Sequence, residues 1–332
     1  MPTALTLLSA AFAVVPLVGF LGVMWWLDRY DREPLWLVAG TFLWGAVGGT
    51  AMAVVGSGYA LDFLTAALPA DQVALATTVI VAPLVEEPTK ALVLVAVALS
   101  RHFDNTTDGF VYGAATGLGF GMTENLLYFL QVAADGNVSA WIATVAVRTL
   151  YSALMHASAS SVIGAALGWA RFRGLRAILT AVPLGLLGAI AIHALWNGLL
   201  AMESTSGSGG VLAAVNLVLF PLEFLGLFVV FQFCLLEERR MIRRELGEEV
   251  ARGLLPEAHL RHLCSYLGRM RRGWLPHSVD HDAYVETATR LAFRKHQTRL
   301  QGSDRYGAEL DGYRDDLQTL LAAAAYGAPT EV

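Results

Sequence analysis

The chain has 332 residues, of which 55% are apolar and only 15% are charged, and its mean hydropathy is +0.53. A soluble globular domain carries about 25% charged residues, so this composition excludes a single soluble domain. The net charge of −5 argues against nucleic acid as a partner, because surfaces that bind nucleic acid are basic. The two cysteines are too few for a disulfide framework.

Seven segments in the first two thirds of the chain are apolar enough to cross a bilayer. Crossing about 30 Å of hydrocarbon takes roughly 20 helical residues at 1.5 Å each. The segments of this length are 3–27, 35–56, 73–99, 109–132, 140–170, 176–200 and 211–236. The sequence therefore predicts an all-α polytopic membrane bundle of about seven transmembrane helices.

The charged residues are concentrated in the last part of the chain. Residues 1–236 contain 21 charged side chains, whereas the shorter segment 237–332 contains 30. This contrast predicts a transmembrane catalytic domain over 1–236 and a charged helical tail over 237–332. Within the tail we predict helices over 237–255 and 283–300, and a loosely ordered segment after Gly302.

The loops between the predicted spans differ in their lysine and arginine content. Loops 57–72, 133–139 and 201–210 contain neither residue, whereas the other three loops and the start of the tail all contain arginine. Basic loops stay on the cytoplasmic side of a membrane. We therefore expect the N-terminus outside and the C-terminal tail in the cytoplasm.

Ionisable side chains inside a predicted span are costly, so each needs a structural or chemical reason. In the third span, V-E-E-P-T-K places Glu86, Glu87 and Lys90 within about one helical turn, so either carboxylate can reach the ammonium group. Pro88 removes a backbone hydrogen bond, and this predicts a kink. One carboxylate is enough to pair with the lysine, which leaves the other for a second cation.

The fourth span combines small residues with a polar pair. Glycine recurs every four residues over 109–121, a spacing that predicts close packing against another helix. Asn125 continues this stripe, and Glu124 lies beside it. Helix packing explains the glycines, but it does not explain the carboxylate.

The fifth and sixth spans contribute imidazole and amide groups. Arg148 and His156 lie on one polar stripe of the fifth span, and His193 and Asn197 lie four residues apart in the sixth. A single membrane histidine is more often a packing residue than a ligand. We expect Arg148 to lie toward the outer surface. Glu223 of the seventh span could pair with Arg148 or belong to the site, and we favour the structural pairing.

The depths of these groups point to one site. With alternating helix directions, Glu86, Glu87 and His156 fall near the midplane, while Glu124 and His193 lie about 5 and 7 Å further out. Unrelated polar residues would be scattered over the full thickness. Lys90 lies about a turn closer to the cytoplasm and could neutralise either adjacent glutamate.

Three functions use such a set of side chains. A divalent metal bound by histidine and glutamate could activate water for hydrolysis, or a buried glutamate could activate water directly. The same groups could bind an ion or relay protons in a transporter, or they could serve only as packing groups of a membrane scaffold. The sequence has no HExxH motif, so the usual signature of zinc proteases is absent. It also has no internal repeat of the kind found in transporters, and this modestly favours a hydrolase.

Four motifs, in order and on consecutive spans, resemble the PrsW-type intramembrane proteases, which are related to the CAAX-type prenyl proteases. They are E-E-P-T-K at 86–90, G-L-G-F-G-M-T-E-N at 117–125, the span that contains His156, and H-A-L-W-N at 193–197. The first loop, D-R-Y-D-R-E-P at 28–34, is similar to the family's first cytoplasmic loop. The tail from 237 onward has no counterpart in this resemblance.

The resemblance implies a bacterial membrane endopeptidase whose substrate is a membrane-spanning protein, such as an anti-sigma factor. Its site residues correspond here to Glu86, Glu87, Lys90, Glu124, Asn125, His156, His193 and Asn197. The resemblance leaves open whether a metal or a glutamate alone activates the water, and we expect Zn²⁺, held by Glu124, His156 and His193. One glutamate of the pair at 86–87 would be the general base, and the other would be a further ligand, for which we name Glu87, or the partner of Lys90. The two asparagines would orient ligands or the oxyanion.

Overall fold

The computed structural model describes residues 2–302 and 306–326, which form helices with no β-strand among them. The α-helices are α1 (Pro2–Leu27), α2 (Leu35–Leu43), α3 (Thr50–Ala67), α4 (Ala70–Ala76), α5 (Ala82–Ala98), α6 (Thr106–Ala134), α7 (Val138–Val147), α8 (Ala153–Ala170), α9 (Leu175–Ser206), α10 (Val211–Ala251), α11 (Glu257–Leu263), α12 (Tyr266–Met270), α13 (His281–Gln301) and α14 (Gly307–Tyr326). Three π-helical turns join α2 to α3, α4 to α5 and α7 to α8: Trp44–Gly49, Thr77–Val81 and Arg148–Ser152. The predicted all-α class is confirmed.

Five helical segments of the described chain are long and apolar enough to cross a membrane, which makes this an integral membrane protein. They are Ala4–Leu27, Leu35–Ala67, Val138–Ala170, Leu175–Ser206 and Val211–Ala251. The predicted spans 73–99 and 109–132 are also helical. They are not among the five, because they carry many of the ionisable groups and glycines that lower hydropathy.

The chain divides into two compact units. The first consists of residues 1–27, 33–171 and 175–231, and it contains every predicted site residue. The second consists of residues 28–32, 172–174 and 232–332.

Helix α6 is the central helix of the first unit. Every residue from 107 to 121 is buried, and α6 packs against α1, α2 and α8. A Cβ atom added at Gly109, Gly113 or Gly117 would overlap the backbone of α8. The close packing predicted from the glycine spacing is therefore confirmed, and its partner is the helix that carries His156.

The second unit has its own apolar core, and the core includes a helix that the sequence analysis missed. The expectation of a loosely ordered segment after Gly302 is wrong for residues 307–326, which form α14; residues 303–305 and 327–332 lie outside the described residues. The core side chains of α14 recur at helical spacing, and they are Leu310, Tyr313, Leu317, Leu320 and Leu321. This apolar stripe packs α14 against α13 and orders a segment whose overall composition is polar and alanine-rich.

We expect Gly117→Ala to lower the free energy of unfolding by about 1–3 kcal/mol, because its methyl group has to displace the His156 carbonyl. Gly22→Ala in α1 is the matched control, since a Cβ there meets no atom within 4 Å. The melting temperatures of both purified variants in one detergent measure the difference. Equal melting temperatures would contradict the close contact between α6 and α8.

Candidate active site

Four helices of the first unit bring the predicted site residues together. Helix α5 contributes three of them, α6 and α9 contribute two each, and α8 contributes one: Glu86, Glu87, Lys90, Glu124, Asn125, His193, Asn197 and His156. Helix α5 packs against α6, α8 and α9. Apart from the three residues within α5, the side chains that share contacts lie far apart in sequence, so the tertiary fold builds the cluster.

The most buried part of the cluster is an ion pair within α5. The Nζ atom of Lys90 lies 2.8 Å from Oε1 of Glu87, and both side chains are 0% exposed. The same Nζ atom lies 4.0 Å from the centre of the Phe120 ring and 3.7 Å from Oε2 of Glu86. The structure thus shows that Lys90 pairs most closely with Glu87, while Glu86 lies further from the charge.

His193 is held in one orientation by Glu87. Its Nδ1 atom lies 2.8 Å from Oε1 of Glu87. An ionised carboxylate only accepts hydrogen bonds, so Nδ1 carries the proton and donates it. The Nε2 lone pair of His193 is then available, and this atom lies 3.9 Å from Oε2 of Glu86.

His156 lies between a cation and a carboxylate. Its Nδ1 atom is 2.9 Å from Nζ of Lys90, and its Nε2 atom is 2.6 Å from Oε2 of Glu124. Because an ammonium group only donates, Nδ1 accepts from Lys90 and Nε2–H donates to Glu124. The two imidazole rings meet edge to face, with their centres 4.9 Å apart.

Arg148 belongs to this network, which the sequence analysis did not anticipate. Its Nη2 atom lies 2.7 Å from Oε2 of Glu124, its Nε atom donates to Oδ1 of Asn125, and its guanidinium covers the Tyr128 ring. The expected pairing of Arg148 with Glu223 is therefore replaced by a pairing with Glu124. The polar stripe shared by Arg148 and His156 is the sequence feature that indicates this pairing, because it places both side chains on the face that meets Glu124.

The two predicted asparagines bind backbone carbonyls of the π-helical turns. Asn125 Nδ2 donates to the carbonyl of Arg148 at 3.3 Å, and Asn197 Nδ2 donates to the carbonyl of Thr78 at 2.9 Å. A π-helical turn interrupts the regular hydrogen-bond ladder, and such turns often occur at functional sites. The amides thus fix two irregular backbone segments beside the charged cluster.

Glu86, His156 and His193 form the group in the described chain whose ligand atoms could hold one metal ion. These atoms lie within 4.8 Å of one another. Oε2 of Glu86 is buried, and no described residue gives it a hydrogen bond. Carboxylate and imidazole are ordinary Zn²⁺ ligands, and a catalytic zinc site has three protein ligands, so these residue types fit such an ion. His156 would bind the ion through a nitrogen released from its contact with Lys90 or Glu124.

Only two of the four predicted metal ligands belong to the group of three that could hold an ion. His156 and His193 belong to the group of three, while Glu124 binds His156 and Arg148, and Glu87 binds Lys90 and His193. The side chain of Glu124 is 25% exposed and that of Glu86 is 14% exposed, whereas Glu87 is fully buried. Glu87 is therefore the most enclosed of the three carboxylates, and Glu124 is the least enclosed.

We expect Lys90→Met to lower the free energy of unfolding by about 3–5 kcal/mol, because it leaves the Glu87 carboxylate buried without a cation. Lys90→Met/Glu87→Gln removes both charges and should recover much of this loss. Thermal unfolding in detergent measures the differences.

Arg240→Met is the control, since the Arg240–Glu237 pair is exposed and contributes little. A double variant no more stable than Lys90→Met would show that the buried charge is not the source of the loss.

Comparison with known proteins identifies the family. A family model described as "PrsW family intramembrane metalloprotease" matches residues 33–227, a range that contains the whole cluster. The Protease PrsW of Bacillus subtilis (strain 168) is 28% identical over 191 residues, which is 56% of this chain and 80% of that protein. The Protease PrsW of Geobacillus kaustophilus (strain HTA426) is 32% identical over 168 residues, which is 50% of this chain and 68% of that protein. No solved structure matches the chain. The chain belongs to the PrsW family of intramembrane proteases.

Proposed function

We propose that this protein is an intramembrane endopeptidase that hydrolyses a peptide bond at the cluster between α5, α6, α8 and α9. The observation that carries the proposal is the approach of Glu86, His156 and His193 to within 4.8 Å at their ligand atoms. These residues come from three helices and lie among groups that orient them. A packing role alone would not require an available His193 nitrogen facing a carboxylate without a hydrogen-bond partner.

The proposed cofactor is Zn²⁺, held by Glu86, His156 and His193. Such an ion supplies Lewis acidity when bound, because it polarises a peptide carbonyl and lowers the pKa of water. The contacts of Glu87 with His193 follow the usual arrangement in which a carboxylate fixes a metal-binding imidazole. This set replaces Glu87 and Glu124 of the earlier expectation by Glu86.

Glu124 is the proposed general base. Its two contacts, with His156 and Arg148, both use Oε2, so Oε1 is left to accept a proton from the attacking water. As the water oxygen bonds to the peptide carbon and the C–N bond breaks, this proton passes to the leaving amine. Arg148 keeps Glu124 ionised and oriented, and Lys90 does the same for Glu87.

We further propose seven membrane crossings, with the N-terminus outside and the tail in the cytoplasm. If the helices at 73–99 and 109–132 cross as well as the five apolar segments, the loops without lysine or arginine all lie on one side. Site residues inside α5 and α6 then explain why these two helices are less apolar. The proposed membrane is that of a bacterial cell, and the proposed substrate is a membrane-spanning protein such as an anti-sigma factor, locally unwound where it is cut.

The test uses purified protein and a fluorescently labelled single-span peptide in detergent micelles, with heavy-oxygen water present. We expect cleavage products whose new carboxyl group contains the heavy oxygen. Glu86→Gln should reduce the rate at least 100-fold, because it removes a charged ligand from the reacting centre. Asp62→Asn in exposed α3 is the matched control and should retain the activity.

Cleavage by Glu86→Gln at the rate of the control would place the chemistry elsewhere. If no peptide is cut, and ion uptake into vesicles depends on Glu86, the cluster serves transport instead.

A further inference from the structure

The second unit contains a basic cavity of about 320 Å³ that the proposed proteolysis does not use. Arg29, Tyr30, Arg239, Tyr266 and Leu267 are among the residues that line it. The cavity is distinct from the metal-competent cluster, because all of its lining residues belong to the second unit.

The chain places this cavity at the level where two membrane helices end. Arg29 follows the last residue of α1, Leu27, by two positions. Arg239 lies on α10 three residues after Leu236, where the apolar part of that helix gives way to charged residues. Arginines at such positions lie at the depth of lipid headgroups.

The two arginines are available to an anion. Neither Arg29 nor Arg239 has an acidic side chain within 4 Å among the described residues, whereas the neighbouring Arg240 is paired with Glu237. The Arg29 guanidinium lies over the Tyr266 ring, 5.5 Å from its centre, which orients it. Burial raises the pKa of the Tyr30 phenol, although Arg239 and Arg269 oppose this shift, so the hydroxyl stays protonated.

Apolar side chains stand beside these cations. Leu267 is 71% exposed and Met270 is 61% exposed, and both belong to the short helix α12. A charged tail gains nothing from such exposure in water. Next to a bilayer, the same side chains can enter the acyl region while the arginines stay with the phosphates.

We propose that this cavity binds the headgroup of an anionic phospholipid, with Arg29 and Arg239 on the phosphate and Leu267 and Met270 against the acyl chains. Two carboxylates add negative charge near the site: Glu238 interacts electrostatically with Tyr30 and Arg269, and Asp31 interacts with Arg269. They favour a single phosphodiester over a more highly charged headgroup.

The experiment titrates delipidated, full-length protein in a neutral detergent with dihexanoyl phosphatidylglycerol and follows the melting temperature. We expect saturable stabilisation, and Arg29→Gln/Arg239→Gln should raise the dissociation constant about 30-fold, which corresponds to about 2 kcal/mol. Arg261→Gln/Arg290→Gln removes the same charge from two exposed positions outside the cavity and should leave the constant within about 2-fold. Each single variant, Arg29→Gln or Arg239→Gln, should weaken binding about 5-fold, which keeps the test valid if the double variant fails to fold.

Two further ligands identify the source of the phosphate. Dihexanoyl phosphatidylcholine should bind at least 10-fold more weakly, because its headgroup has no net charge. Equal binding of phosphatidylcholine, equal stabilisation by glycerol 1-phosphate without acyl chains, or an equal loss in the two double variants would each overturn the proposal. None of these results depends on peptide cleavage, so the lipid site can fail while the proposed protease activity stands.

Discussion

The buried carboxylate of Glu87 is the group on which the arrangement of the site depends. One of its oxygens contacts both the Lys90 ammonium and the His193 imidazole. Removing either charge of the Lys90–Glu87 pair from so buried a position is strongly destabilising, whereas the complete pair is tolerated. The pair therefore keeps Glu87 ionised inside the protein, and an ionised Glu87 in turn fixes the tautomer of His193. Lys90 also donates to His156, so the same pair sets the orientation of both imidazoles.

Close helix packing is the second requirement. His156 can reach Lys90 and Glu124 because α6 presents glycine to α8 along the whole contact, with Gly117 against the backbone of His156 itself. The charged cluster therefore lies next to the closest backbone approach between these two helices. A bulkier residue in the glycine stripe would separate Glu124 from the imidazole that it binds.

Sequence patterns predicted which residues lie close together, but not which contacts each of them makes. Four-residue spacings identified the inward faces of α6, α8 and α9, and the three- and four-residue separations in α5 predicted the pairing of Lys90 with an adjacent glutamate. Whether Glu86 or Glu87 pairs with Lys90 and His193 depends on how α5 is rotated against α8 and α9. No spacing within α5 encodes this rotation. Depth along a regular helix places Arg148 toward the outer surface and does not indicate its partner, Glu124. The polar, alanine-rich composition of the last segment conceals the apolar periodicity that forms α14.

Metal content, with the ligands identified, tests the central claim most directly. Elemental analysis of unchelated, detergent-purified protein should give about one zinc per chain for the wild type and almost none for His156→Ala/His193→Ala. X-ray absorption at the zinc edge should show two imidazole ligands in the wild type. Wild-type protein free of zinc, or zinc retained by the double variant with an unchanged spectrum, would contradict a metal centre formed by Glu86, His156 and His193.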